Sequence, residues 1–246
     1  MIEGPRLLGE ALDARVDLVE AYAAPGADRQ LWARLEEAGV SVHEVQAGVL
    51  ERVGDVQTSQ GWIGVAALPA AVEVERLPFG AGRPEAAAAP LVVVLMGVAD
   101  PGNVGTLLRA ADAAAAAAVM ISPSTADPYA PKVVRAAAGA LFRVALVELV
   151  DPLDTAGRWG LITMGCVARG GEPIYQADLA KPVALVLGSE AHGLPPEVED
   201  RLDARVSIPM PGPAESLNVA MAGTVAIFEA LRQRHPHDHV APRAPQ

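Results

Sequence analysis

Three short stretches of this sequence combine side chains and backbone suited to chemistry, and each follows an apolar run. The first reads Gly97-Val-Ala-Asp-Pro-Gly-Asn-Val-Gly105, then Thr-Leu-Leu-Arg109. Glycines and Asn103 tolerate positive φ, so such a loop presents successive backbone N–H groups to an anion ahead of a helix. Arg109 then falls on the first turns of that helix. The second stretch, Leu187-Gly-Ser-Glu190-Ala-His192-Gly-Leu194, sets a carboxylate and an imidazole between glycines. It stands at a predicted strand end, where open α/β folds hold their ligands. It matches neither a G-x-S-x-G nucleophile turn nor a G-x-G-x-x-G dinucleotide fingerprint. The third runs Ile208-Pro-Met-Pro-Gly-Pro-Ala-Glu-Ser216-Leu-Asn218. Its prolines build a stiff loop, and Ser216 or Asn218 is placed to cap a final helix. Taken singly, each stretch reads equally well as an ordinary glycine-rich turn. Their order and spacing together carry more.

These residues need elements to position them. Residues 91–97 form a continuous apolar run ending in glycine, as in a strand covered on both faces. Beyond it the pattern predicts a helix over 104–118, strands over 119–122, 161–167, 183–188 and 204–208, and a helix over 131–139. A strand is expected over 141–149, and a long amphipathic helix over 216–234. Such alternation predicts an α/β fold with a mainly parallel sheet. Ahead of it, 5–12 and 28–38 have helical spacing, while 16–22, 40–45 and 62–68 read as short strands of a small α/β domain. A stretch rich in Pro, Gly and Ala intervenes and reads as a linker. The domain organisation is therefore read as 1–77, a linker over 78–90, and 91–246, with a disordered tail from 235.

Composition limits the function. The 246 residues are 51% hydrophobic, which excludes a disordered chain, and the single Cys166 excludes a disulfide framework. No apolar run approaches the roughly 20 residues that span a bilayer. The opening residues lack the charged-then-apolar pattern of a secretion leader. A cytoplasmic protein with no membrane partner is expected. The net charge of −11 argues, on its face, against nucleic acid.

The three stretches nevertheless resemble a known family. Asn103-Val-Gly-Thr-Leu-Leu-Arg109, Leu187-Gly-Ser-Glu190-Ala-His-Gly and Ile208-Pro-Met with Glu215-Ser-Leu-Asn218 look like motifs 1, 2 and 3 of the SpoU/TrmH family. The similarity extends through Asp127-Pro-Tyr-Ala-Pro-Lys-Val-Val-Arg135 and Gly139-Ala-Leu-Phe-Arg143. Residues 1–77 are similar to that family's substrate-binding domain of the ribosomal-protein L30e type. The family consists of SPOUT-class RNA 2′-O-ribose methyltransferases that use S-adenosylmethionine. The resemblance implies a parallel-sheet SPOUT domain with a deep trefoil knot, and a homodimer packed through it. It implies that backbone at Leu187, Gly188, Ile208, Met210 and Leu217, together with Asn218, holds the cofactor. It assigns catalytic positions to Arg109, Asn103, Glu190, Ser216 and Asn218. RNA contacts are expected from Arg109, Lys132, Arg135 and Arg143, with Arg169 a further basic candidate. Three positions depart from the family's pattern: Ala115 stands where a glycine often closes the helix, Ala130 where asparagine is common, and Ala137 where serine is common.

The substrate implied first is 23S ribosomal RNA, and transfer RNA second. A catalytically silent RNA-binding dimer and a small-molecule methyltransferase are the rival readings. Intact Arg109, Glu190, Ser216 and Asn218 weigh against the silent dimer. No metal is implied, because the leaving group is a neutral thioether. The cluster His235-Pro-His237-Asp-His239 lacks the surrounding ligands of a metal site. Cys166 is read as core rather than reactive. Trp32, Trp62 and Trp159 are read as packing residues, with base stacking a second possibility for Trp62. The acidic balance implies few phosphate contacts and modest RNA affinity.

Overall fold

A computed structural model describes residues 1–54, 60–69 and 89–235. The chain forms two compact units: one takes residues 1–71, 99–112 and 126–144, the other 72–98, 113–125 and 145–246.

In the first unit, β1 (Ile2–Glu3), β2 (Leu18–Ala23), β3 (Ser41–Glu44) and β4 (Trp62–Ala66) form a sheet ordered β1-β4-β2-β3. β4 runs antiparallel to β1 and β2, and β3 is parallel to β2. Pro5 opens α1 (Pro5–Asp13), and the side chain of Asp28 caps α2 (Arg29–Glu37) by accepting from Gln30 N. Leu7, Leu8 and Ala11 of α1 and Leu31 and Leu35 of α2 recur at helical spacing and bury against Trp62 and Ala21. A short α3 (Val49–Val53) follows β3. This unit also holds most of α4 (Pro101–Ala113) and all of α5 (Pro131–Ala137), whose Val134 joins the same core.

In the second unit, β5 (Leu91–Leu95), β6 (Ala118–Ile121), β7 (Leu146–Glu148), β8 (Ile162–Cys166), β9 (Glu172–Pro173), β10 (Val183–Leu187) and β11 (Ala204–Ser207) make one sheet. Its order is β7-β6-β5-β10-β8-β11-β9, and every pairing is parallel. β10 is inserted between β5 and β8, and β11 between β8 and β9. Residues of β5 and β10 are buried on both faces, which explains their unbroken apolar runs. One face packs Val92, Val94, Ala184 and Val186 against Leu153 and Ala156 of α6 (Pro152–Arg158) and Val198 of α7 (Pro196–Glu199). α8 (Val219–Arg234) packs on β10 and β8.

Three expected elements are corrected. The helix placed at 104–118 is α4, which begins three residues earlier and ends at Ala113. Pro101 suits a first helical turn, Asp100 Oδ1 accepts from Asn103 N at 3.0 Å, and Ala115 takes a left-handed φ of 52° just past the end. The strand placed at 141–149 divides into a single 3-10 turn, Ala140–Phe142, and β7, after Gly139 at φ 80° turns the chain. The last helix starts at Val219 rather than 216, because the Asn218 side chain accepts from Ala220 N and Met221 N. The linker at 78–90 falls almost wholly outside the described residues, as does the tail beyond 235.

Candidate active site

The C-terminal ends of β8, β10 and β11 surround a cavity of about 410 Å³ in the second unit. The packing of these strands is set locally. Asp203 Oδ2 accepts from both Thr163 N and Thr163 Oγ1 at 2.8 Å, which pins the start of β11 to β8. At Gly165, on β8, a Cβ would meet the side-chain ends of Leu202 and, within 2.9 Å, Leu194, so the missing side chain lets both leucines pack down on the strand.

One wall is the turn after β10. Ser189 and Gly193 exchange backbone hydrogen bonds of 2.9 Å, and Ser189 Oγ accepts from His192 N at 3.2 Å. The chain thus folds back over Gly188, where a Cβ would meet backbone of Gly193 and Leu194. Leu187, Gly188, Glu190 and His192 all line the cavity. The opposite wall is the stiff loop after β11, with Ile208, Met210, Ser216 and Leu217. Apolar side chains of Ile174, Val206 and Ala222 close the interior. These three, and Glu199, carried no sequence signal for a site; Val206 reads only as part of the strand over 204–208.

Backbone N–H and C=O groups of Ile208, Met210 and Leu217 make no hydrogen bond within the protein, among the described residues. In a cavity, unpaired main-chain groups call for a ligand or water with matching donors and acceptors. A purine offers both on one edge. The residues present therefore fit S-adenosylmethionine: apolar walls and free backbone for its base, a charged rim for its amino-acid end. Cys166 also borders the cavity, and burial pushes its thiol up to about 12, so it stays protonated and unreactive near neutral pH. Glu199 is held by Arg205 at 3.2 Å.

Asn218, also in the second unit, is not among the described residues lining this cavity, and its side chain caps α8. The other expected site residues lie in the first unit. Arg109 lines a separate cavity of about 290 Å³ together with Glu3, Arg6, Glu10, Trp62 and Arg135. Glu3, with a side chain only 6% exposed, pairs with Arg135 Nη1 at 3.4 Å. Arg109 itself is exposed and makes no ion pair or hydrogen bond through its side chain among the described residues. Asn103 sits in the first turn of α4. Gly102 and Gly105 lie inside that helix rather than in an anion-cradling loop, which corrects the expectation for the first motif. A Cβ on Gly105 would come within 2.9 Å of Val133 O and Ala137 N, so its role is close packing of α4 on α5. The loop that leads out of β5 is held from Gly97, at φ 72°, whose N–H lies 3.1 Å from both Ser122 Oγ and Thr125 Oγ1.

Among the expected RNA contacts, Arg109 and Arg135 share one cavity and the others do not line it. Lys132 stands 3.6 Å from Asp100. With the backbone N–H of Asn103 as the main cause, and Lys132 adding to it, Asp100 is held below the usual carboxylate range. Arg143 is braced by Asp112 at 2.8 Å and by Glu10 at 3.6 Å, and the Asp112 hydrogen bond raises its pKa. Its charge is thus compensated within the fold. Arg169 lines the larger cavity. Trp62 is 1% exposed and forms an edge contact with Trp32, a packing role that leaves no face for a base. Among the described residues no group of His, Cys, Asp and Glu is arranged to hold a metal. No described helix is long and apolar enough to cross a membrane.

Known proteins share this architecture. Residues 90–228 match the SpoU rRNA Methylase family. The 23S rRNA (guanosine-2′-O-)-methyltransferase RlmB of Pseudomonas putida is 34% identical, over 90% of this chain and 85% of its own length. That of Xanthomonas axonopodis pv. citri is 36% identical, over 92% and 91%. The crystal structure of the SpoU methyltransferase AviRb from Streptomyces viridochromogenes, in complex with the cofactor AdoMet, superposes with a TM-score of 0.82. It is 26% identical and covers 96% of this chain and 90% of that one. With the three motifs in place around the cavity and along α4, and with these matches across most of its length, the chain belongs to the SpoU rRNA methylase family.

Proposed function

We propose that this chain methylates a ribose 2′-hydroxyl in 23S ribosomal RNA, with S-adenosylmethionine bound in the cavity at the ends of β8, β10 and β11. The observation that carries this reading is the set of unpaired backbone groups at Ile208, Met210 and Leu217 inside that cavity. The relatives' action on 23S rRNA supports the choice of substrate.

When bound, the cofactor supplies an electrophilic sulfonium methyl for in-line attack. Leu187, Gly188, Ile208, Met210 and Leu217 hold it, and Asn218 holds the loop by capping α8. A ribose hydroxyl is a poor nucleophile until it is oriented and its proton is accepted. Arg109, exposed and without an ion pair among the described residues, binds the ribose or its phosphate and fixes the line of attack. A guanidinium stays protonated and has no lone pair to accept the hydroxyl proton, so orientation is its main contribution and the proton passes to solvent water. Glu190 and Ser216, on opposite walls, and Asn103, at the head of α4, position substrate and cofactor. Arg135 extends the cationic surface beside Arg109, with Lys132 and Arg143 on the same unit.

We take residues 1–77 as an RNA-binding domain of the L30e type, joined by a linker over 78–90 to a SPOUT domain at 91–246. A four-stranded sheet with two flanking helices supports the first part. Insertion of β10 and β11 among earlier strands supports a trefoil knot in the second. Met221 and Phe228, 60% and 43% exposed on α8, support a homodimer formed through that helix. The protein works in the cytoplasm, where ribosomal RNA is made in bacteria.

The test is methyl transfer from labelled S-adenosylmethionine to 23S rRNA, followed by mapping of the modified ribose. One 2′-O-methylated nucleotide is expected. Label in transfer RNA instead would change the substrate. Retained RNA binding with no transfer to either would leave a catalytically silent RNA-binding dimer.

A further inference from the structure

We infer that Arg169 recognises the carboxylate at the amino-acid end of the cofactor. This deepens the cofactor reading above and rests on it.

Arg169 is the one guanidinium or ammonium group among the residues lining the larger cavity. It is exposed, and its side chain has no hydrogen bond or ion pair with any described residue. The carboxylates on the same rim differ from it in this respect, since Glu199 is already bound by Arg205. The loop that carries Arg169 is fixed on both sides. Val167 N donates to Val206 O at 2.9 Å, and Ser207 Oγ donates to Gly171 O at 3.0 Å. Gly170, at φ 79°, makes the turn between these anchors, and at Gly171 a Cβ would strike the backbone of Val206 and Ser207. The loop is therefore seated against β11, whose continuation at Ile208 and Met210 offers the unpaired backbone groups. Base recognition and Arg169 are thereby held in one rigid strand pair.

The cofactor is a purine nucleoside carrying an amino-acid zwitterion. Its apolar, hydrogen-bonding end matches the interior of the cavity. Its anionic end needs a cation, and a planar guanidinium matches a carboxylate with two parallel hydrogen bonds. Neither Glu190 nor His192 supplies that pairing, because one repels an anion and the other lacks the paired donors.

The test uses the full chain and two nucleosides, measured by titration calorimetry. S-adenosylhomocysteine carries the carboxylate, and 5′-methylthioadenosine lacks the whole amino-acid end. In R169A, affinity for S-adenosylhomocysteine is expected to fall about tenfold, the scale of one exposed charge-assisted contact. Affinity for 5′-methylthioadenosine should not change, and R169K should recover part of the loss. Unchanged S-adenosylhomocysteine affinity overturns the inference, and if RNA binding weakens instead, Arg169 is an RNA contact. An equal fall for both nucleosides also overturns it, because the effect would then lie in the shape of the cavity. If the unaltered chain binds neither nucleoside, the cofactor reading itself fails.

Discussion

The two cavities are built from different materials. The larger one, in the unit of the parallel sheet, is shaped by backbone: glycines at 171 and 188 admit close chain approaches, and main-chain groups unpaired among the described residues supply donors and acceptors. The smaller one, in the other unit, is shaped by charged side chains, with Arg6, Arg109 and Arg135 beside Glu3 and Glu10. A backbone site presents one fixed geometry and suits one small ligand of defined shape. An arginine-rich site tolerates variation in its ligand and suits a phosphate backbone. On the proposed assignment of cofactor to the first cavity and RNA to the second, the contrast makes the two recognitions separable by mutation.

The sharpest test of that separation is Arg109→Ala. Methyl transfer is expected to drop about a hundredfold to a thousandfold, as when an orienting contact to a reacting group is lost. S-adenosylhomocysteine affinity by calorimetry should stay unchanged; a parallel loss would merge the two sites. Next is Gly188→Ala, which forces a methyl against the returning turn at Gly193. Chemical denaturation should show a loss of about 1–3 kcal/mol, typical of overpacking, together with weakened nucleoside binding. Intact nucleoside affinity in that variant would show that the backbone shape is not what selects the ligand.

Acid should act on the second unit through the cap of α6. Asp151 is held below the usual carboxylate range, chiefly by the backbone N–H of Asp154 and also by Arg201, against an opposing desolvation. A carboxyl with a lowered folded pKa stabilises the fold above its ordinary titration range. That stability is lost as pH falls through the folded value. In Asp151→Asn, urea midpoints should decline less steeply below the ordinary carboxylate range than in the unaltered chain. An unchanged slope would remove Asp151 as a cause. The smallest effect is a gain. Ala115 holds φ at 52°, where an L side chain is strained and glycine is not. Ala115→Gly should raise stability by up to about 1 kcal/mol, after the entropic cost of glycine in the unfolded chain. No gain in the melting temperature would mean that the local backbone relaxes without it.

Much of this was legible in the residues. The buried strands β5, β8 and β10 stand out as apolar runs because both faces of a parallel sheet are covered. The three motifs fall at or just beyond strand ends, as their glycines and prolines suggest. What was not legible is instructive. The start of α4 was missed because glycine and asparagine argue against helix locally, while Pro101 and the Asp100 cap decide otherwise. β7 was merged with the turn before it because Leu141 and Phe142 are apolar for reasons of core packing, not strand pairing. α6 went unread although Asp151 and Pro152 form a clear helix start.

The residue types and their spacing determined the α/β class and the positions of the three motifs, since each follows from local preference and periodicity; the family came from the resemblance of those motifs to known ones. Only the tertiary structure decided the strand order, the glycine contacts that shape the larger cavity and the pairing state of each arginine. Arg143 and Arg109 look alike in sequence, yet Asp112 and Glu10 fold up against one and, among the described residues, no carboxylate pairs with the other. Charge compensation depends on residues distant along the chain, and only folding brings these together.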